Sequence, residues 1–163
     1  MTNVNISPVG YHRVINGVIT MITLDVLDTI WPKCVPLFEK ARSWWDMYYE
    51  LEDILHYVRT GDMQLWVGVD KSEIFAVGLT SIVEYPKCRK LQCIFLAGRD
   101  AKTILPCVKE IEQWAAMYGC SRSEIIGRDA WLRLGVPMGY TKQSVVMVKQ
   151  LYPTNIPGSE RKH

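Results

Sequence analysis

No apolar run in the 163 residues approaches the ~18 positions that a membrane-spanning helix needs. Histidine is scarce: there are three, of which His12 and His56 lie in the body of the chain. No C-x-x-C or H-x-x-x-H pair occurs, and a zinc site needs about four N/S ligands; the expectation is therefore no metal, and no Ser/His/Asp set. The five cysteines (Cys34, Cys88, Cys93, Cys107, Cys120) are odd in number and scattered. They read as reduced thiols of an intracellular protein, not a disulfide framework. Charge of one sign is also missing. A net charge of +2 gives no overall case for nucleic acid, and the basic cluster Lys87, Arg89, Lys90 reads as a solvated hairpin tip. The N-terminal MTNVNISPVG lacks a basic-then-apolar leader pattern, so a cytoplasmic location is expected. Repeats and low-complexity blocks are absent. What remains, 48% hydrophobic and 22% charged residues, is ordinary for a soluble globular protein large enough for one core.

The informative stretch runs from Leu91 to Gly119. An apolar run ends at Gly98, a polar turn follows, and an amphipathic pattern takes over. Ile104, Val108, Ile111, Ala115 and Met117 fall on one side, and Lys109, Glu110 and Gln113 on the other. Gly119 sits where a left-handed residue ends a helix. With a second strand signal at Ser123 to Gly127 this is a β-α-β unit, which aims helix N-terminal N–H groups at an anion.

Around it, residues 1–17 read as an irregular arm and Val18 to Leu24 as a first strand. A helix is expected over Thr29 to Ala41, capped by Asp25 or Asp28, with Pro36 as a possible later start of its regular part. A second helix is expected over Met47 to Arg59, its start anywhere from Asp46 to Glu50, with Leu51, Ile54, Leu55 and Val58 inward and Gly61 past its end. Gln64 to Val69 and Ile74 to Glu84 read as strands around a four-residue loop, Asp70 to Glu73. Tyr85 to Lys90 reads as a turn into the strand Leu91 to Ala97, a hairpin in which Glu84 would face Leu91 and Gly78 would face Ala97. Asp129 caps a short helix to Leu134, Gly135-Val136-Pro137 breaks it, and Tyr140 to Leu151 alternates as a final strand. Residues 1–151 thus form one domain and 152–163 a loosely held tail. The order β-α-α-β-β-β-α-β-α-β predicts a three-layer α/β/α fold on a mixed sheet.

This order, over residues 18–151, resembles the GCN5-related N-acetyltransferase (GNAT) fold. The ending from Ala130 to Tyr140, A-x-x-x-L-G-x-x-x-G-Y, is similar to the family's A-x-x-x-Y-x-x-x-G-F with one extra residue. The style of Trp31 to Ala41, Gly61 to Val67 and Ala130 to Arg133 also resembles short GNAT-like proteins of tailed bacteriophages. The resemblance implies acetyl-CoA as cofactor, an amine-bearing acceptor, and a site between the fourth and fifth family strands. Ile94, Phe95, Leu96 and Ala97 would hold the pantetheine arm, and Gly98, Arg99, Asp100, Ala101, Lys102 and Thr103 the pyrophosphate. The family's R/Q-x-x-G-x-G/A loop, started at Arg99, has Lys102 and Ile104 at its small-residue positions. Leu134 or Gly135 stands where the family often has a proton-donating tyrosine.

Glu84 is the one carboxylate of its strand and a candidate base; a strand-end carboxylate in solvent is its plain explanation. Tyr140 is a candidate acid, or a packed aromatic. Cys93 lies near the acyl position as a thiol nucleophile or a small apolar residue. Trp44, Trp45, Tyr48 and Tyr49 line a substrate pocket, or cover a sheet edge or a subunit contact. Two functions follow: an acyl-CoA-dependent N-acyltransferase, or a non-catalytic structural or interaction protein of a bacteriophage, in the host cytoplasm or the virion. A protein partner or homo-oligomer goes with the second; neither a membrane nor a nucleic acid is expected as partner.

Overall fold

A computed structural model describes residues 2–4 and 19–151, without the side chains of 2–4 and Lys102. The rest of the expected arm and the tail at 152–163 lie outside the described residues. The elements are β1 (Thr2–Val4), β2 (Ile19–Met21), α1 (Leu24–Lys40), a 3-10 turn (Arg42–Trp44), α2 (Leu51–Thr60), β3 (Gln64–Asp70), β4 (Glu73–Tyr85), β5 (Cys88–Gly98), α3 (Ala101–Met117), β6 (Cys120–Ile125) and α4 (Ala130–Gly135), with a second 3-10 turn at Val136–Met138. The sheet runs β2-β3-β4-β5-β6, antiparallel except for the parallel β5–β6 pair. β1 pairs with the end of β4, Thr2 opposite Glu84. The expected three-layer mixed sheet is therefore the architecture.

Each face of the sheet has its own core. Phe38, Trp45, Ile54 and Val58 from the α1/α2 side pack on Leu65, Val67, Val77 and Leu79. Cys107, Ile111, Trp114 and Ala115 of α3 pack on Trp66, Ile82, Leu91 and Cys93. The buried face of α3 thus includes Trp114, while Met117 is exposed, a correction to the expected stripe. Between the faces, Thr80 accepts a hydrogen bond from Trp66 Nε1 (2.9 Å) and donates to Gln64 Oε1 (3.0 Å), which satisfies these buried polar groups.

Local rules explain most boundaries. Gly61 and Gly119 take left-handed conformations (φ 83° and 80°) just past α2 and α3, where an L side chain is strained. Asp53 Oδ2 accepts from the Glu50 N–H (2.9 Å) at the start of α2, so this helix starts later than the sequence suggests. α1 starts earlier, after Thr23, and runs through both Pro32 and Pro36; Leu27, Cys34 and Phe38 are buried along it, and packing outweighs the lost backbone bonds. Lys71 and Ser72, both at positive φ, form a two-residue loop between Asp70 and Glu73, shorter than expected.

Three expectations are corrected. The β4–β5 turn has only two residues, since Tyr85 pairs with Cys88; Glu84 faces Arg89, and Val77, not Gly78, faces Ala97. Part of the expected arm is strand β1. Tyr140 to Leu151 forms no strand: it has no ladder among the described residues, and Val145 to Val148 and Leu151 lie in solvent.

Candidate active site

The parallel β5–β6 ladder ends at Cys93 opposite Ile125, yet β5 continues to Gly98. At the same point the β4 register slips: Thr80 faces Cys93 and Leu79 faces Phe95, so Ile94 is an extra residue. Such a bulge bends a strand and strengthens its twist. β5 and β6 therefore part, and the backbone groups that β5 turns toward β6 beyond Cys93 have no strand opposite among the described residues. The gap opens into a cleft of about 960 Å3 floored by Cys93 to Gly98. One wall is Leu37, Lys40, Ala41 and Trp44; the other is Ile125 to Arg128 with Ala130, Trp131 and Leu134.

Charge is unevenly placed in it. Arg99 lies beyond Gly98, 5.9 Å from the Phe75 ring and 3.9 Å from Asp70, a long and exposed pairing. Arg128 stacks its guanidinium 4.2 Å over Trp44, a cation–π contact across the cleft. At the start of α3, Asp100 Oδ1 accepts from the Thr103 N–H at 2.9 Å. The Arg99 N–H is also taken, by Phe75 O at 3.0 Å. Two of the amides between Gly98 and Thr103 are thus committed within the protein, and a carboxylate sits at the positive end of the helix.

No protein-family model and no curated protein sequence matches the chain. Solved structures do. An aminoglycoside acetyltransferase from an uncultured soil metagenomic sample superposes with a TM-score of 0.64 at 12% identity, over 82% of this chain and 95% of that one. Glucosamine-6-phosphate N-acetyltransferase from Arabidopsis thaliana gives 0.62 at 15% identity, over 82% and 99%. A GNAT family acetyltransferase from Staphylococcus aureus gives 0.60 at 11% identity, over 82% and 97%. The chain has the GNAT fold. At these identities the likeness extends to the fold alone.

Within this GNAT frame, Ile94, Phe95, Leu96, Ala97, Gly98, Arg99, Asp100 and Ala101 all line the cleft. Lys102 and Thr103 open α3, and the Lys102 side chain lies outside the described residues. Ile104, at a small-residue position of the GNAT loop, packs beside Gly98: a Cβ on Gly98 would come within 3.0 Å of its Cγ1 and 2.9 Å of Phe75 O. Glu84 stands at the opposite end of β4, beside Arg89 (3.4 Å), and does not line the cleft. Tyr140 lies between α3 and β6; its hydroxyl donates to Glu112 and shares a 2.7 Å hydrogen bond with Ser123. Burial, then the Glu112 carboxylate, pushes its ionisation far above the usual tyrosine range. Cys93 reaches the cleft floor, but burial pushes its thiol up to about 12, which keeps it protonated and a poor nucleophile. The aromatic cluster divides: Trp45 is buried and donates to Phe38 O at 2.9 Å, while Trp44 lines the cleft.

Arg128 and Trp131 were not singled out by the sequence reading. A signal existed for the first: Gly-Arg-Asp-Ala occurs at 98–101 and again at 127–130, after each of the two parallel strands. Both copies reach the cleft.

Proposed function

We propose that the protein transfers an acyl group, acetyl in the simplest case, from an acyl-coenzyme A to an amine. One observation carries this reading: β5 and β6 separate at the Ile94 bulge and leave, among the described residues, an unpaired strand edge along an open cleft. The cleft volume suits a ligand of coenzyme size, and its floor offers backbone donors and acceptors between apolar walls. These residues fit the pantetheine arm. At the phosphate end Arg99 supplies charge, while the Asp100 cap competes with an anion.

When bound, the coenzyme would supply a thioester carbonyl activated toward amines. The backbone of Ile94 to Ala97 would hold the arm straight and polarise the carbonyl, and the Lys40–Trp44 wall would orient the acceptor. Catalysis would be mainly alignment: the amine nitrogen would bond to the acyl carbon as the C–S bond breaks, the amine proton would leave to water through the open mouth, and the coenzyme would depart as its thiolate and take a proton from water. An amine acceptor is supported by the neighbours named for an aminoglycoside and for glucosamine-6-phosphate.

The Asp100 carboxylate favours a second reading, a GNAT scaffold kept for interaction with a protein partner, as in a phage virion or the host cytoplasm. Acetyl-CoA in a melting experiment separates the two. At a hundredfold excess over Kd, a ligand that binds only the native state adds about 2.7 kcal/mol, or roughly 5–10 °C in Tm for a chain of this size. The transferase reading requires that rise, together with transfer of labelled acetyl to a panel of amines. An unmoved Tm at millimolar acetyl-CoA leaves the scaffold.

A further inference from the structure

The charges of the cleft fall into two groups. Among the described residues its lining holds three cations, Lys40, Arg99 and Arg128, and two carboxylates, Glu73 and Asp100. Both carboxylates stand where β5 runs into α3. Glu73 opens β4 opposite Asp70, three residues before Ala76, which faces Gly98, and Asp100 caps α3. Arg99 is at that end as well, paired with Asp70 at 3.9 Å. The α1 wall differs: Lys40 stands on it, Arg128 reaches it from the other side, and no carboxylate lines it among the described residues. Glu39 and Glu50, close to that wall in sequence, are held by Arg42 at 3.5 and 3.6 Å, and Asp46 is outside the lining.

Arg128 is also held in place without being neutralised. Its guanidinium carbon lies 4.2 Å from the centre of the Trp44 ring, a contact that fixes the group by its face and leaves its N–H fork for an anion. Its guanidinium makes no ion pair or hydrogen bond among the described residues. The turn beneath it is fixed from behind. The Trp131 N–H donates to Arg128 O at 2.9 Å, and the Trp131 ring occupies the place of a Gly127 Cβ, which would come within 2.3 Å of Cδ1. Burying charge is costly unless a partner meets it, so a ligand that closes over this wall is favoured when it brings the opposite sign.

We propose that the acceptor is a small amine that carries an anionic group, a phosphate or a carboxylate, and that Arg128 determines this specificity with Lys40 in support. The proposal rests on the transferase reading and narrows its substrate. The guanidinium, set against Trp44, takes two oxygens of the anion, and the amine end then lies toward the floor at Cys93 to Ala97. A polyamine meets two like charges on the same wall and is rejected. The acceptor is small because the cleft of about 960 Å3 must also take the coenzyme arm.

Acetyl transfer from acetyl-CoA to four small amines tests this, with O-phosphoethanolamine and glutamate set against ethanolamine and spermidine. A charge-assisted hydrogen bond to a guanidinium is enough for the better anionic amine to exceed ethanolamine in kcat/KM by at least about tenfold. Spermidine should be the poorest, and the two anionic arms show whether phosphate or carboxylate is preferred. Arg128→Gln should erase the ratio, mainly through the KM of the anionic amine, and Arg128→Lys should restore part of it. A preference for ethanolamine or spermidine overturns the proposal, as does an anion preference that Arg128→Gln leaves intact. Equal losses on every amine, with weaker acetyl-CoA binding in calorimetry, would put Arg128 on the coenzyme and overturn it too. So would no transfer to either anionic amine. The transferase reading survives that last result where ethanolamine or spermidine is acetylated, and falls with it where acetyl-CoA also leaves the Tm unmoved. Should Arg128→Gln fail to fold, the order of the four amines on the unaltered chain decides.

Discussion

Asp100→Asn removes a cleft carboxylate that works against a phosphate at the start of α3. Asparagine keeps an oxygen for the Thr103 N–H and is as good an N-cap as aspartate, so the helix loses only the charge–dipole attraction, about 0.3–1 kcal/mol. The gain falls on anion binding. Asp100 is exposed, so a water-like dielectric applies: a unit charge at about 6 Å costs about 0.7 kcal/mol, and a pyrophosphate with two charges about 1.4 kcal/mol. That is about a tenfold tighter Kd for coenzyme A. Titration calorimetry with coenzyme A on both forms measures it, at low ionic strength where screening is weak. Asp100→Ala, which removes the cap as well, should lower stability by about 0.5–2 kcal/mol. Unchanged or weaker coenzyme binding by a stably folded Asp100→Asn would refute the placement of the phosphates at the start of α3.

Other predictions rest on single contacts. Gly98→Ala puts a Cβ 2.9 Å from Phe75 O and 3.0 Å from Ile104 Cγ1; urea unfolding should show a loss of about 1–3 kcal/mol. Thr80→Val strands Trp66 Nε1 and removes the donor to Gln64, which should cost about 1–3 kcal/mol, and Thr80→Ser should restore most of it. An alkylating reagent at mildly alkaline pH should modify Cys88 and Cys120 well before Cys93, as peptide mapping would show, because burial holds the Cys93 thiol at about 12. Burial alone would raise the Glu124 carboxyl, but hydrogen bonds from Lys90 (2.7 Å) and Gln92 (2.9 Å) and the Lys90 charge outweigh it and hold it low. Its contribution is therefore present above the ordinary carboxylate range and lost as pH falls through the depressed value; Glu124→Gln should flatten that acid limb in denaturant titrations.

The layers and the β-α-β unit were legible because they rest on periodicity and turn chemistry, and the stretch that floors the cleft because of its place in the element order that resembles the GNAT fold. Val108, Ile111 and Ala115 announced the inner face of α3, and Gly61 and Gly119 announced helix ends. The errors come from events that leave no local mark. Pro36 breaks a helix rule, and only the burial of Leu27, Cys34 and Phe38 explains why α1 passes through it. The turn at Pro86-Lys87 reads as longer because Cys88 to Lys90 are polar or small; they pair with Tyr85, Glu84 and Val83 just across it, and the β6 strand that also holds Arg89 and Lys90 lies far off in sequence. Val145 to Val148 has strand propensity, but a strand needs a neighbour and none is among the described residues. In the site, Trp44 and Arg128 meet across the cleft from loops more than eighty residues apart, a pairing no spacing rule contains.

The added residue at Ile94 has a further effect on β5. Up to it, Leu91 and Cys93 point to the α3 layer; after it, Phe95 and Ala97, also odd-numbered, join the α1/α2 layer. One inserted amino acid reverses the strand's parity, so a single β-strand helps build the interior on opposite sides of the sheet. Excising that residue would turn Phe95 away from Phe38, whose ring it stacks on at 5.3 Å, and would return the strand to a plain alternation that β6 could follow to its end. The opening in the sheet and the division of the interior therefore have one origin, and neither can be engineered without disturbing the other.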